Sequence, residues 1–145
     1  MSAEDLYREI ILDHYRSPRN KRRGVEGAID VKHDNPLCGD ELHLAVDVRN
    51  GELSDVAFDG RGCSISQASA SMMTEAVRGR SVSDALGIAE TVRLMMHGES
   101  PSDDLGDLMA LEGVARFPVR VKCALLAWMA LKDALGRVDG RGAPA

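Results

Sequence analysis

The chain has 145 residues, 44% hydrophobic and 28% charged, which is enough apolar material for one folded domain and too much for wholesale disorder. A chain of this length removes roughly 68–70% of its unfolded surface from water on folding, so it needs no disulfide or metal merely to stand up. Eighteen Lys and Arg against 23 Asp and Glu leave a net charge of −5, the wrong sign for indiscriminate binding to nucleic acid or anionic lipid.

Ser2-x-x-Asp5 has the form of a capping box, and Leu6, Tyr7, Ile10, Ile11 and His14 then recur at helical spacing. This first helix is predicted to stop before Pro18, because the residue preceding proline avoids helical geometry. A basic run follows (Arg16, Arg19, Lys21, Arg22, Arg23), suited either to an acidic partner or to a solvated turn. The residues to 20 thus form an N-terminal helix and basic turn. Ile29 and Val31 suggest a short strand. Leu42, Leu44, Val46 and Val48 alternate with polar or small residues, and Asn50-Gly51 turns the chain into Leu53–Phe58. That dipeptide between alternating segments is a strong hairpin signal, since both turn positions need positive φ.

From Ser64 the period changes to 3.6. Ile65, Ala68, Met72, Met73, Ala76 and Val77 mark a helix closed by Gly79, and Ser81 or Ser83 caps another carrying Leu86, Ala89, Val92 and Met96. Glu99–Glu112 holds five acids and no base and offers at most a short helix. Pro118 restarts the chain into an amphipathic helix through Leu135, and residues 137–145 read as a loose tail. The expected fold is α+β: a three-stranded antiparallel sheet covered by helices on one face, in a single domain spanning residues 1–145.

Met1–Asp5 shows no basic segment followed by an apolar one, and the longest charge-free stretch, Gly62–Thr74, is too short to cross a bilayer. The expectation is a cytoplasmic protein with neither nucleic acid nor membrane among its partners. Three cysteines (Cys38, Cys63, Cys123) cannot all pair internally, and reduced thiols serve as metal ligands, nucleophiles or buried apolar residues. Cys38 and Cys63 sit in glycine-containing, Asp-flanked turns. Cys63 and Cys123 fall near predicted helix openings, where free N–H groups favour thiolate. Burial as simple apolar packing is the alternative, and spacings of 25 and 60 residues match no local zinc-ribbon pattern. Met72, Met73, Met95 and Met96 fit helix packing better than a cofactor box. No Ser/His pair has the sequence context of a hydrolase triad.

Asp13-His14-Tyr15-Arg16-Ser17-Pro18-Arg19-Asn20, Asn35-Pro36-x-Cys38-Gly39-Asp40 and Gly60-x-Gly62-Cys63-x-Ile65-Ser66-x-Ala68-Ser69 resemble the signature segments of the U-type iron–sulfur cluster assembly proteins, the IscU/NifU/SufU family. The likeness runs from about Leu6 to about Leu135. Within it, Arg120-Val121-Lys122-Cys123-Ala124 with Trp128 is similar to the SufU branch, whereas the IscU branch has histidine directly before the third cysteine. Residues 99–119 look like the insertion of that branch.

The resemblance implies a zinc-dependent sulfurtransferase that accepts persulfide sulfur from a SufS-type cysteine desulfurase and passes it to a downstream SUF iron–sulfur scaffold. It implies Cys38, Asp40, Cys63 and Cys123 as zinc ligands. It also implies that a desulfurase histidine replaces Cys38 on the metal, freeing that thiol to take the sulfur. Arg120 is the residue expected to support the anionic site, either there or as an exposed arginine. His14, His33, His43 and His97 fall outside the ligand positions and read as surface or satisfied residues. The alternatives are a non-catalytic scaffold of IscU type that binds an Fe–S cluster transiently, and a zinc-stapled adaptor without chemistry of its own.

Overall fold

The computed structural model describes residues 2–23, 25, 28–36, 39–101 and 105–138. Helix α1 (Ala3–Arg16) is followed by strands β1 (Ile29–Asn35), β2 (Asp40–Arg49) and β3 (Glu52–Arg61), then α2 (Ser64–Val77), α3 (Val82–Met96), a 3₁₀ helix (Gly106–Arg116) and α4 (Pro118–Leu135). The strands form one antiparallel sheet in the order β1-β2-β3. This is the α+β arrangement read from the sequence, and each boundary has a local cause. Ser2 caps α1 by accepting from the Asp5 amide at 3.1 Å, and Ser81 caps α3 by accepting from the Asp84 amide at 3.0 Å. Asn50 and Gly51 take positive φ (54° and 77°) in the β2–β3 hairpin. A bulge beside Asp47 and Val48 leaves Ser54 as the extra residue, and its hydroxyl donates to the Asp47 carbonyl at 3.0 Å.

The inner sheet face is the even-numbered set on β2: Leu42, Leu44, Val46 and Val48 are all buried against the helices with Leu53, Val56 and Phe58 of β3. Helix α4 lies across this face, and its alanines at 124, 127, 130 and 134 are buried, which permits close approach of neighbouring elements. Met72, Met73, Met95 and Met96 are core residues, as their spacing suggests.

The outer face is less open than one polar face implies. Ala45 and Ala57 pair across β2 and β3 on that side, yet both are buried. Arg22 and Arg23 come over them with His43 and Asp59, around a recess of about 240 Å³. This follows from how the basic run is used. Lys21 bridges Phe58 in parallel, and the Arg22 guanidinium clasps Asp55 at 2.6 and 2.7 Å. Arg19 pairs with Asp13 at 2.6 Å, and Lys21 donates to Gln67 at 3.0 Å. Most of this run is therefore consumed in tying residues 19–22 to β3, α1 and α2.

Helix α2 carries Ser66, Ser69, Ser71 and Thr74, all buried, and each hydroxyl is satisfied. Ser69 Oγ donates to the Ala124 carbonyl at 2.6 Å and accepts from Trp128 Nε1 at 3.1 Å, joining α2 to α4 inside the core. Among the described residues, no helix is long and apolar enough to cross a membrane.

Candidate metal centre

Strand β2 opens with Asp40, and the two-residue period of a strand puts it on the same inner face as Leu42 and Leu44. The residue is consequently 2% exposed. Oδ1 accepts a hydrogen bond from the Cys63 amide at 3.0 Å. Oδ2 is buried and has no hydrogen-bond partner among the described residues. Leaving such an oxygen unpaired costs about 1–3 kcal/mol, more when charged, so its environment suits a cation.

Delivery of Cys63 to this carboxylate depends on Gly60. Its φ is +143°, and a Cβ there would run into the Glu41 carbonyl, so only glycine fits where the last residues of β3 pair with Leu42 and Glu41 just before Cys63. Cys63 then becomes the N-cap of α2. Its sulfur accepts from the Ser66 amide at 3.4 Å, while Ser66 Oγ donates back to the Cys63 carbonyl at 3.1 Å. Cys63 lies at the surface and Cys123 is buried. One ligand atom each from Asp40, Cys63 and Cys123 lie within 4.8 Å of one another.

Cys123 reaches the cluster differently from the sequence expectation. Helix α4 starts at Pro118, whose fixed φ and missing N–H suit the first helical position, so Cys123 stands in the second turn and not at the opening. Its Sγ is 3.6 Å from the Val119 carbonyl one turn back. Cys38, expected as both ligand and sulfur acceptor, lies outside the described residues. Arg120 is exposed, with its guanidinium 5.6 Å from the centre of the Phe117 ring. It borders a groove of about 420 Å³ that Tyr7, Ile11, Ile65, Val114 and Arg116 also line.

The histidines stand apart from this cluster. His14 is 1% exposed and forms a second one: Nδ1 lies 2.8 Å from Ser71 Oγ and Nε2 lies 2.8 Å from Asp107 Oδ2, with Glu75 Oε1 at 4.0 Å. The assignment that satisfies every group has the Ser71 hydroxyl donating to Nδ1 and Nε2–H donating to Asp107. Ser71 Oγ also accepts from the Arg19 amide at 2.8 Å and has no exposed surface, so no substrate reaches it. Despite its Ser–His–Asp order, this chain is a tie between α1, α2 and the 3₁₀ helix. Glu75 is in turn 3.6 Å from Arg19 Nε. His33 Nε2 bonds Asp133 at 2.9 Å and His97 Nδ1 bonds the Arg93 carbonyl at 2.8 Å. His14 is thus the satisfied histidine of the two forms expected for it, on the apolar stripe of α1, while its partners Ser71 and Asp107 were not foreseen.

Two thiols and a buried carboxylate from three separate segments, gathered beside a small antiparallel sheet, form a cysteine–carboxylate cluster that could hold a metal ion on an α+β scaffold. The family model described as "NifU-like N terminal domain" matches residues 6–142, and the chain belongs to that family. It is 45% identical over 142 residues to the zinc-dependent sulfurtransferase SufU of Bacillus subtilis (strain 168), covering 96% of this chain and 95% of that one. It is 43% identical over 134 residues to the iron–sulfur cluster assembly scaffold protein IscU of Streptococcus pyogenes serotype M1, covering 91% of this chain and 84% of that one. A crystal structure of a hypothetical protein superposes with a TM-score of 0.86 at 41% identity, covering 92% of this chain and 99% of the other.

Proposed function

We propose that the chain is a zinc-dependent sulfur carrier of iron–sulfur cluster biogenesis, working in the cytoplasm between a SufS-type cysteine desulfurase and the SUF assembly machinery. The observation that carries this reading is the convergence of Asp40, Cys63 and Cys123 within 4.8 Å, with one carboxylate oxygen left unpartnered. Cys38 completes the ligand set. Thiolates with a single carboxylate suit tetrahedral zinc. Bound zinc would hold the thiols deprotonated at neutral pH, add to folding stability and bring no redox chemistry.

The chain's own residues do the rest. The Cys63 amide fixes Oδ1 of Asp40, so Oδ2 is the oxygen on offer. The Ser66 amide steadies the Cys63 sulfur. In the transfer step the Cys38 thiolate attacks the terminal sulfur of the donor's persulfide. A sulfur–sulfur bond forms at Cys38, the donor's own sulfur–sulfur bond breaks, and the donor cysteine leaves as a thiolate, with no net oxidation. Arg120, exposed on the first turn of α4, is the residue we assign to support the anionic site.

A scaffold of IscU type is the competing reading, favoured by the IscU relative at 43% identity. Lys122 directly before Cys123, in place of histidine, favours the carrier. The deciding experiment follows alanine release by a cysteine desulfurase with zinc-loaded chain added. The carrier reading expects turnover to rise with the parent and not with Cys38→Ala. Equal stimulation by both removes Cys38 as acceptor, and a visible cluster spectrum with labile sulfide after anaerobic purification favours the scaffold.

A further inference from the structure

Two glycines flank the approach to Cys63, and they are glycines for different reasons. Gly60 needs its left-handed φ, but Gly62 does not: its φ lies outside the positive region, so an alanine there meets no backbone penalty. What Gly62 lacks is space. A Cβ on it would overlap Asp40 Oδ1, sit 2.5 Å from Ser66 Oγ and lie 2.9 Å from Asp40 Cγ. None of these atoms belongs to the backbone. All sit at the ends of the two side chains that arrange the centre.

We propose that Gly62 is a positioning residue for the metal ligand Asp40: its bare Cα forms the wall against which the carboxylate rests while Oδ1 takes the Cys63 amide and Oδ2 is left without a hydrogen-bond partner. The inference rests on the reading of Asp40 as a ligand. The carboxylate takes the larger share of the displacement, because two of its atoms meet the Cβ against one of Ser66, and backbone shift is resisted by β3 and α2 on either side. Gly62→Ala therefore rotates the Asp40 carboxylate out of its slot. That single movement breaks the 3.0 Å bond to the Cys63 amide and withdraws the unpartnered oxygen. The fold survives, since a surface-side turn gains one methyl and the core is untouched.

The test is a double-mutant cycle on the full chain with two readouts. The first is zinc affinity by competition with a chromophoric chelator. Gly62→Ala and Asp40→Ala each weaken zinc binding by about 10–100-fold, and the double variant binds no more weakly than Asp40→Ala alone. The second needs no metal: the Cys63 amide proton resonance in the metal-free protein moves upfield in both single variants. A parental zinc affinity in Gly62→Ala, a loss that adds in full to that of Asp40→Ala, or an unmoved Cys63 amide overturns the proposal. If the parent binds no zinc while the amide shifts as expected, the metal reading fails and the positioning role stands.

Discussion

Ser69→Ala tests how the two described thiols are held together. Ser69 lies on α2, which Cys63 caps, and its hydroxyl donates to the carbonyl of Ala124, the neighbour of Cys123 on α4. The same hydroxyl accepts from Trp128 Nε1 at 3.1 Å, and both side chains are buried. Removing it affects the two partners unequally. The Ala124 carbonyl stands inside α4 and keeps its intrahelical partner four residues on. Trp128 Nε1–H is left buried with nothing to donate to, at about 1–3 kcal/mol. Taking about 2 kcal/mol and roughly 2–4 °C per kcal/mol for a chain of this length, the melting temperature falls by about 4–8 °C. Urea and thermal unfolding of the zinc-loaded protein, followed by far-ultraviolet circular dichroism, measure the free-energy cost and the melting shift. In a Trp128→Phe background, which has no indole donor to orphan, the same substitution costs less than about 1 kcal/mol. A cost below about 0.5 kcal/mol in the parent, or an equal cost in both backgrounds, refutes the argument.

Three further outcomes follow from single contacts. Cys63→Ser keeps a good N-cap on α2, so metal-free stability stays within about 0.5 kcal/mol while zinc affinity drops by at least about 100-fold; chelator competition and chemical denaturation separate the two. Asp107→Ala removes the carboxylate 2.8 Å from His14 Nε2 and, with Glu75 4.0 Å away to take over, costs about 1 kcal/mol. Hydrogen exchange then quickens across Gly106–Arg116 with zinc affinity unchanged; an unaltered exchange pattern contradicts the tie. For Asp133, the hydrogen bond from His33 holds the carboxyl below its ordinary value, desolvation opposes this, and Arg137 adds to the lowering. A carboxyl whose folded value is depressed supplies stability above its unfolded value, near 3.9, and loses it as pH falls through the folded one. Asp133→Asn therefore flattens the decline of stability below about pH 4; parallel profiles contradict it.

Most elements were legible because local chemistry fixed them. Ser2 and Ser81 announce their helices, Asn50-Gly51 announces the hairpin, and the alternation from Leu42 to Val48 shows which face of β2 is buried. Asp40 came only from the family resemblance, although it continues the even-numbered inner set. What escaped the sequence depends on long-range contacts. Arg19, Lys21 and Arg22 read as a charged run, yet their partners Asp13, Gln67 and Asp55 lie on three different elements. His14 gave no hint that Ser71 and Asp107 would meet it from positions 57 and 93 residues away. The Glu99–Glu112 segment shows only a weak helical period, and from Gly106 it enters a 3₁₀ helix, Gly106–Arg116, anchored by Leu108, Leu111 and Val114 in the core. Cys123 is not at the helix opening because α4 begins at Pro118, where sequence reading also restarts the chain, and Cys123 stands five residues on.

X-ray absorption at the zinc edge of the loaded protein addresses the centre itself. With Cys38 as the fourth ligand, the account predicts one zinc per chain in a mixed shell of three sulfurs near ~2.3 Å and one oxygen near ~2.0–2.2 Å, the oxygen vanishing in Asp40→Ala. A shell of nitrogen and oxygen alone, or a sulfur count that Cys63→Ser and Cys123→Ser leave unchanged, contradicts it.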